Sequence, residues 1–204
     1  MVRSMIVGEI EYLDEDAELF SDGSVHDATL AHDTVICGVP CAGGKSTVFY
    51  PSGRLKLAWL SCPAVIEGIP CAAGVVLYLH EDGRALNATL AAEHRFGKLP
   101  LPPGTRVSLD EEGQLLEYSQ RLDSDQLVAG LPCCALFEVW RYPSGQPSFV
   151  VLSDSCAIGG QEYPRGSEIA MEESGEVIRS HIADVDSGRR YKQRVFGVFE
   201  ADWE

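Results

Sequence analysis

Apolar and polar positions alternate along this chain in short runs, and the runs recur. Four and six residues before a turn-like glycine stand Leu79 and Leu77, Leu109 and Val107, and Met171 and Ile169, with polar or mixed residues between them. Successive side chains of a strand point to opposite faces, so this spacing predicts a strand with one buried face. The fifth and seventh positions after the glycine are also mostly apolar: Ala28 and Leu30, Ala58 and Leu60, Ala88 and Leu90, Val150 and Leu152, less cleanly Ser180 and Ile182. Strand, short polar turn ending in Gly, and strand make a β-hairpin, the glycine supplying the positive φ of a bulged tight turn. No stretch sustains apolar residues at i, i+3, i+4 and i+7, and 20 Gly with 11 Pro would interrupt one, so the expected class is all-β.

The turns set a period. SDG at Gly23, PSG at Gly53, EDG at Gly83, EEG at Gly113, PSG at Gly145 and ESG at Gly175 are spaced by 30, 30, 30, 32 and 30 residues. A second glycine follows 21 residues after the first at Gly44, Gly74, Gly104 and Gly166, with Leu136 in its place in the unit that carries two extra residues. Between them lie CGVPC (37–41), EGIPC (67–71), GKLPL (97–101) and AGLPC (129–133), with a degraded GQEYP at 160–164. Each unit is thus read with two glycine turns, the Gly-hydrophobic-Pro string suiting a strand edge or corner that needs no ladder donor there. The expected fold is a set of tandem β-hairpin repeats of about 30 residues, forming an elongated antiparallel meander or a β-solenoid-like array. The near-symmetry of residues about the SDG and EDG turns favours the antiparallel form. Residues 1–22 then read as an N-terminal cap, 23–174 as five repeats, and 175–204 as a C-terminal partial repeat and cap.

The strings VFYPSGRLK (48–56), YLHEDGRAL (78–86) and VWRYPSGQP (139–147) resemble MORN-type repeats and their bacterial relatives, in which an aromatic, two residues and a Gly begin each hairpin. The resemblance covers the hairpin half of each unit. MORN units are shorter, and the Gly-hydrophobic-Pro-Cys half has no counterpart in them. What it implies is a hairpin array that scaffolds or binds partners, with no reaction attached.

Charge narrows the partners. With 16 Lys+Arg against 31 Asp+Glu in 204 residues, the formal charge is −15 and the pI about 4.6, which opposes nucleic acid and anionic membrane alike. No apolar run approaches the roughly 18 residues of a membrane span, and the start turns acidic before a secretory core can form. A soluble, cytoplasmic protein is expected, with its seven cysteines as reduced thiols.

Candidate chemistry is weighed against the repeat. CAGGKST (41–47) is similar to a phosphate-binding loop, but the first glycine falls at Gly38 and Val39 occupies the place the motif requires. The segment aligns with CAAGVVL (71–77) and LPPGTRV (101–107), so it reads as a repeat turn. Cys41, Cys71 and Cys133 share one column with Leu101, the mark of a buried small apolar site, and no cofactor or metal is expected. His32-Asp33 and His80-Glu81-Asp82 set histidines beside carboxylates, yet adjacent strand residues diverge, and His80 lies in the turn-opening column with Tyr50, Asp110, Tyr142 and Glu172. The acidic runs Asp14-Glu15-Asp16, Asp110-Glu111-Glu112 and Glu172-Glu173 read as solvated segments that blunt edges.

Aromatics are the more informative class. Trp59 and Phe149 occupy columns that face away from the inferred core, and Trp140, Tyr50 and Tyr142 add aromatic area near the same turns. Together these five residues are the candidate contact set of a binding face. The expectation is a noncatalytic acidic repeat protein acting as a protein-interaction or scaffold module. Its specific form is antitoxin-like or immunity-like, neutralising a basic protein partner by charge complementarity. The oligomeric state stays open: exposed terminal strands offer edges through which a homodimer can form, while the acidic charge opposes indiscriminate association. The alternative is an enzyme or small-ligand binder whose pocket uses the histidines and acidic residues.

Overall fold

The structure is a computed structural model that describes residues 4–13 and 17–182. The run 14–16 and the cap residues 183–204 lie outside the described residues. The chain divides into two compact units, Met1–Gln114 and Leu115–Glu204. Among the described residues every element is a strand.

In the first unit the strands are β1 (Ser4–Val7), β2 (Ile10–Leu13), β3 (Glu18–Leu19), β4 (Val25–Thr29), β5 (Thr34–Ile36), β6 (Val39–Cys41), β7 (Ser46–Phe49) and β8 (Leu55–Trp59). They continue with β9 (Ala64–Ile66), β10 (Ile69–Cys71), β11 (Val76–Leu79), β12 (Ala85–Thr89), β13 (His94–Phe96), β14 (Leu99–Leu101) and β15 (Arg106–Leu109). The second unit holds β16 (Leu115–Gln120), β17 (Gln126–Val128), β18 (Leu131–Cys133), β19 (Val139–Arg141), β20 (Pro147–Val151), β21 (Cys156–Ile158), β22 (Gln161–Tyr163), β23 (Ser167–Met171) and β24 (Val177–Ile182). In the first unit seven strands form an antiparallel meander in the order β15-β12-β11-β8-β7-β4-β3, in the second five do so in the order β24-β23-β20-β19-β16, and the others pair as six two-stranded hairpins. The antiparallel alternative is the one the fold adopts, with tandem hairpin repeats as its unit.

Each sheet hairpin closes as the turn chemistry dictates. Around Gly53 the Tyr50 N–H donates to the Arg54 carbonyl at 2.8 Å and the Gly53 N–H to the Tyr50 carbonyl at 2.8 Å, with Gly53 at φ 79. That is a type I turn followed by a left-handed glycine, a conformation that a side chain would strain. The same pair of bonds recurs at Phe20, His80, Asp110, Tyr142 and Glu172.

A bulge follows these turns: Phe49 pairs with Leu55, but Val48 pairs with Leu57, so β8 advances two residues for one of β7. Leu55 and Ala58 therefore both lie inside, although three positions separate them. The buried positions after the turn glycine are the second, fifth and seventh, as in Val25, Ala28 and Leu30 or Ala85, Ala88 and Leu90. Strict period two finds only the last two.

The structure also adds a third turn to each unit. The glycine of Gly-hydrophobic-Pro is not a corner but the centre of a short hairpin. Cys37 at φ 51 with Gly38 at φ 82, Glu67 at φ 45 with Gly68 at φ 88, and in the second unit Ala129 at φ 49 with Gly130 at φ 84 are all left-handed pairs. Two successive positive φ values are the type I′ geometry whose twist suits a two-residue hairpin. The proline lands opposite the middle residue of the first strand, as Pro40 does opposite Val35.

These short hairpins lie over the sheet and interlock with it. In the first unit Cys41 bridges Leu60 and Cys71 bridges Leu90, while the Ala42 N–H donates to the Trp59 carbonyl at 2.7 Å and the Ser61 N–H to the Pro40 carbonyl at 2.9 Å. Tyr12 bridges Leu30 in the same manner, so residues 4–13, expected as part of a cap, occupy the short-hairpin position of a unit. In the second unit Cys133 bridges Leu152. The inward residues of both layers, such as Ala28, Leu30, Ala58, Leu60, Ile36 and Val39, are buried. Leu122, Val128, Cys133, Val139, Val150, Leu152, Tyr163, Ile169 and Met171 form the second unit's core. Thr47 sits in a core column otherwise filled by Leu77, Val107, Val139 and Ile169, with its buried hydroxyl lacking a hydrogen-bond partner.

Candidate functional site

The face of the sheet opposite the core is built by register. In the first unit Val48 pairs with Asp27 and Leu57, Leu57 with Tyr78, Tyr78 with Asn87 and Asn87 with Ser108. Directly opposed residues share a face with Cβ atoms about 4.5–5.5 Å apart, so these side chains form one row across six strands. A second, shorter row joins Trp59 with Val76. Val48, Leu57, Trp59, Val76 and Tyr78 are all partly exposed, and the Lys45 ammonium stands 4.8 Å over the Trp59 ring. Asn87 is buried at the polar end of the row, its Oδ1 without a hydrogen-bond partner.

In the second unit the corresponding row runs Ser119, Trp140, Phe149, Ala170 and Arg179. Trp140 and Phe149 are direct cross-strand partners, yet Trp140 is only 3% exposed and Phe149 is the partly exposed member. Trp140 therefore supports this face instead of presenting contact area, a correction forced by burial. Beside it Glu168 pairs with Val151 and His181; burial pushes its carboxyl pKa up, and His181 acts against that shift.

Tyr50 and Tyr142 have another task. The Tyr50 hydroxyl donates to the Leu79 carbonyl at 2.8 Å, and the Tyr142 hydroxyl to the Met171 carbonyl at 2.9 Å. In the same column His80 Nε2 lies 3.1 Å from the Leu109 carbonyl. Each acceptor is 29 residues ahead, at the end of the strand leading into the next turn. Arg54 and Arg84 add bonds from their guanidiniums to the carbonyls of Asp82 at 3.0 Å and Glu111 at 2.7 Å. The column expected to present aromatic surface is a set of clamps between successive turns. Burial raises the Tyr50 phenol pKa, with Glu81 and Asp82 adding to the shift.

The histidine-carboxylate neighbours separate although they lie in bends and turns outside the strands, because each side chain is taken by a different partner. Asp33 accepts the Gly43 N–H at 2.8 Å, while His32 faces Glu11 at 3.5 Å. Asp82 accepts the Arg84 N–H at 2.9 Å, while His80 reaches Leu109. His26 meets Glu18 at 3.4 Å and His94 packs its ring 4.7 Å from Phe96. The phosphate-loop look-alike is spent on folding: Gly43 N–H goes to Asp33, Gly44 N–H to the Leu30 carbonyl at 2.7 Å, Lys45 covers Trp59 and Thr47 is buried. A Cβ at Gly43 would stand 2.7 Å from the His32 carbonyl carbon, so here glycine answers close backbone approach. Cys41, Cys71 and Cys133 are fully buried core thiols; each donates to the carbonyl two residues before it at 3.3–3.4 Å, and burial pushes each pKa up to about 11. No group of three or more His, Cys, Asp or Glu poised for a metal occurs among the described residues.

Leu57, Tyr78 and Val48 were not singled out from the sequence. Leu57 stands four residues after Gly53, in the column of Asp27, Asn87 and Phe149, so the column that marked Phe149 as outward marks Leu57 too.

The fold and its faces define an all-β protein of tandem antiparallel hairpins, each sheet hairpin carrying a short hairpin over it. No family model, curated protein or solved structure matches the chain. No helix among the described residues is long and apolar enough to cross a membrane.

Proposed function

We propose that this chain is a noncatalytic, acidic interaction module that binds a protein partner through the outer face of its sheet. The observation that carries the reading is the registered row Val48–Leu57–Tyr78 with Trp59 and Val76 beside it, partly exposed on a regular sheet. Apolar and aromatic side chains clustered on a rigid face supply contact area at low entropic cost, and the partly exposed Asp27 adds a carboxylate at one end of the row. The local likeness of the turns to MORN-type hairpins supports the same role. Exposed carboxylates at the turns, including Asp22, Glu81, Asp82, Glu111, Glu112, Glu172 and Glu173, favour a basic partner and speed its encounter. An antitoxin-like or immunity-like protein is the specific form that this charge supports.

Affinity capture with the tagged protein at low and high salt, with bound proteins identified by mass spectrometry, tests this. A basic partner retained by wild type, weakened by salt and lost with Leu57→Ser/Trp59→Ser is the expected result. Retention of that partner by the double variant overturns the assignment of the face, and capture of a metabolite in place of a protein overturns the role.

A further inference from the structure

A second surface stands out on the short hairpins of the first unit. In strand β5 Ile36 is buried while its neighbour Val35 is 68% exposed; the same place in β9 holds Val65 at 71%, and in β1 Ile6 at 71%. An outward position on so short a strand is where a polar residue belongs, so large apolar residues there in three successive short hairpins need an explanation. Pro40 and Pro70, cross-strand from Val35 and Val65, widen the strip. The column then reaches Arg95 in β13, which ends the strip with a charge.

Carboxylates frame it. Glu11 pairs with Ile6 on the same face, Glu9 and Glu67 sit in the hairpin turns, and Asp33 stands exposed at the foot of β5. The spacing is set by the fold: successive short hairpins are tied to Leu30, Leu60 and Leu90, each two sheet strands from the next. Two interstrand distances place successive strip residues about 10 Å apart. An α-helix repeats a surface position at i+7 after about 10.5 Å, whereas one face of an extended strand repeats about every 6.7 Å and falls out of step.

We propose that the strip Ile6–Val35–Val65 docks a basic amphipathic helix of a partner protein, its apolar residues at i, i+7 and i+14 and its Lys and Arg flanks against Glu9, Glu11, Asp33 and Glu67. This rests on the chain being an interaction module but uses a surface apart from the aromatic sheet face. Helix-in-groove recognition works through such anchors, and acidic rims raise the encounter rate of a cationic helix.

The test uses the full chain and two synthetic Lys-rich peptides of identical composition, about 21 residues long, followed by fluorescence anisotropy at low and high salt. One carries its leucines at seven-residue spacing and the other has them shuffled. Expected are binding of the heptad peptide at least tenfold tighter than its isomer, a tenfold or greater loss in Val35→Ser/Val65→Ser, and no change in Leu57→Ser/Trp59→Ser, which separates this surface from the sheet face. Circular dichroism and the melting temperature check the fold of the variant, and Val35→Thr/Val65→Thr, of the same shape, replaces it if it melts early. Equal binding of the two peptides, or full binding by the strip variant, overturns the proposal. A wild-type dimer in sedimentation that dissociates in the strip variant also overturns it, giving the strip to a second copy of this chain.

Discussion

The turn edge of the sheet and the layer of short hairpins are made by the same thirty-residue repeat, yet they hold successive repeats together by opposite means. At the turns side chains do the joining: Tyr50, His80 and Tyr142 reach carbonyls 29 residues ahead, and Arg54 and Arg84 reach the next turn. In the short hairpins the backbone does it, through bridges such as Cys41 to Leu60 and the Ala42 and Ser61 N–H bonds. Where side chains are consumed in joining repeats, they are unavailable to a partner. Where the backbone joins them, the outward side chains carry no structural duty, and there Val35 and Val65 remain exposed. The difference leaves the exposed apolar side chains in the short hairpins and on the open sheet face, away from the turns where Tyr50 and Tyr142 are engaged.

That contrast can be broken most strongly where both layers meet. Leu60 is buried, bridges Cys41 and accepts the Gly74 N–H at 2.8 Å, so Leu60→Ala removes core volume at the junction. A loss of about 2–5 kcal/mol is expected in urea unfolding; a loss below about 1 kcal/mol would mean that the layers hold together without this contact. Tyr50→Phe deletes one clamp and keeps the ring. Its expected cost is about 1 kcal/mol, the net worth of a single hydrogen bond, and an unchanged midpoint would show that the clamps are incidental.

The smallest effect concerns the thiols beneath the short hairpins. Iodoacetamide at pH 8 should label exposed Cys37 and Cys62 and spare Cys41, Cys71 and Cys133, as read by peptide mass mapping. Their folded pKa is raised from 9.0 to about 11, so the neutral thiol is the form the fold favours. This contribution is therefore intact below pH 9 and is lost as pH climbs through about 11, because the unfolded chain ionises first. Stability that rose over that interval would contradict the burial of these groups.

The local chemistry of this fold was written in its residues. Glycines spaced by 30, proline after Gly-hydrophobic, and apolar residues at alternate positions announced all-β hairpins and the outward direction of Trp59 and Phe149, because turn conformation and strand alternation are properties of a few neighbouring residues. The bulge that buries Leu55 beside Ala58 was not legible, since one extra residue breaks the period that pattern reading relies on. Nor was the short hairpin at Cys37-Gly38, where a non-glycine residue takes a positive φ that only its pairing stabilises. The clamping of Tyr50 and Tyr142 and the burial of Trp140 depended on which strands stand side by side. Distances across 29 residues exist only after folding, so the sequence alone determined the repeat and its turns, while tertiary structure decided which side chains the repeat consumes and which it leaves exposed.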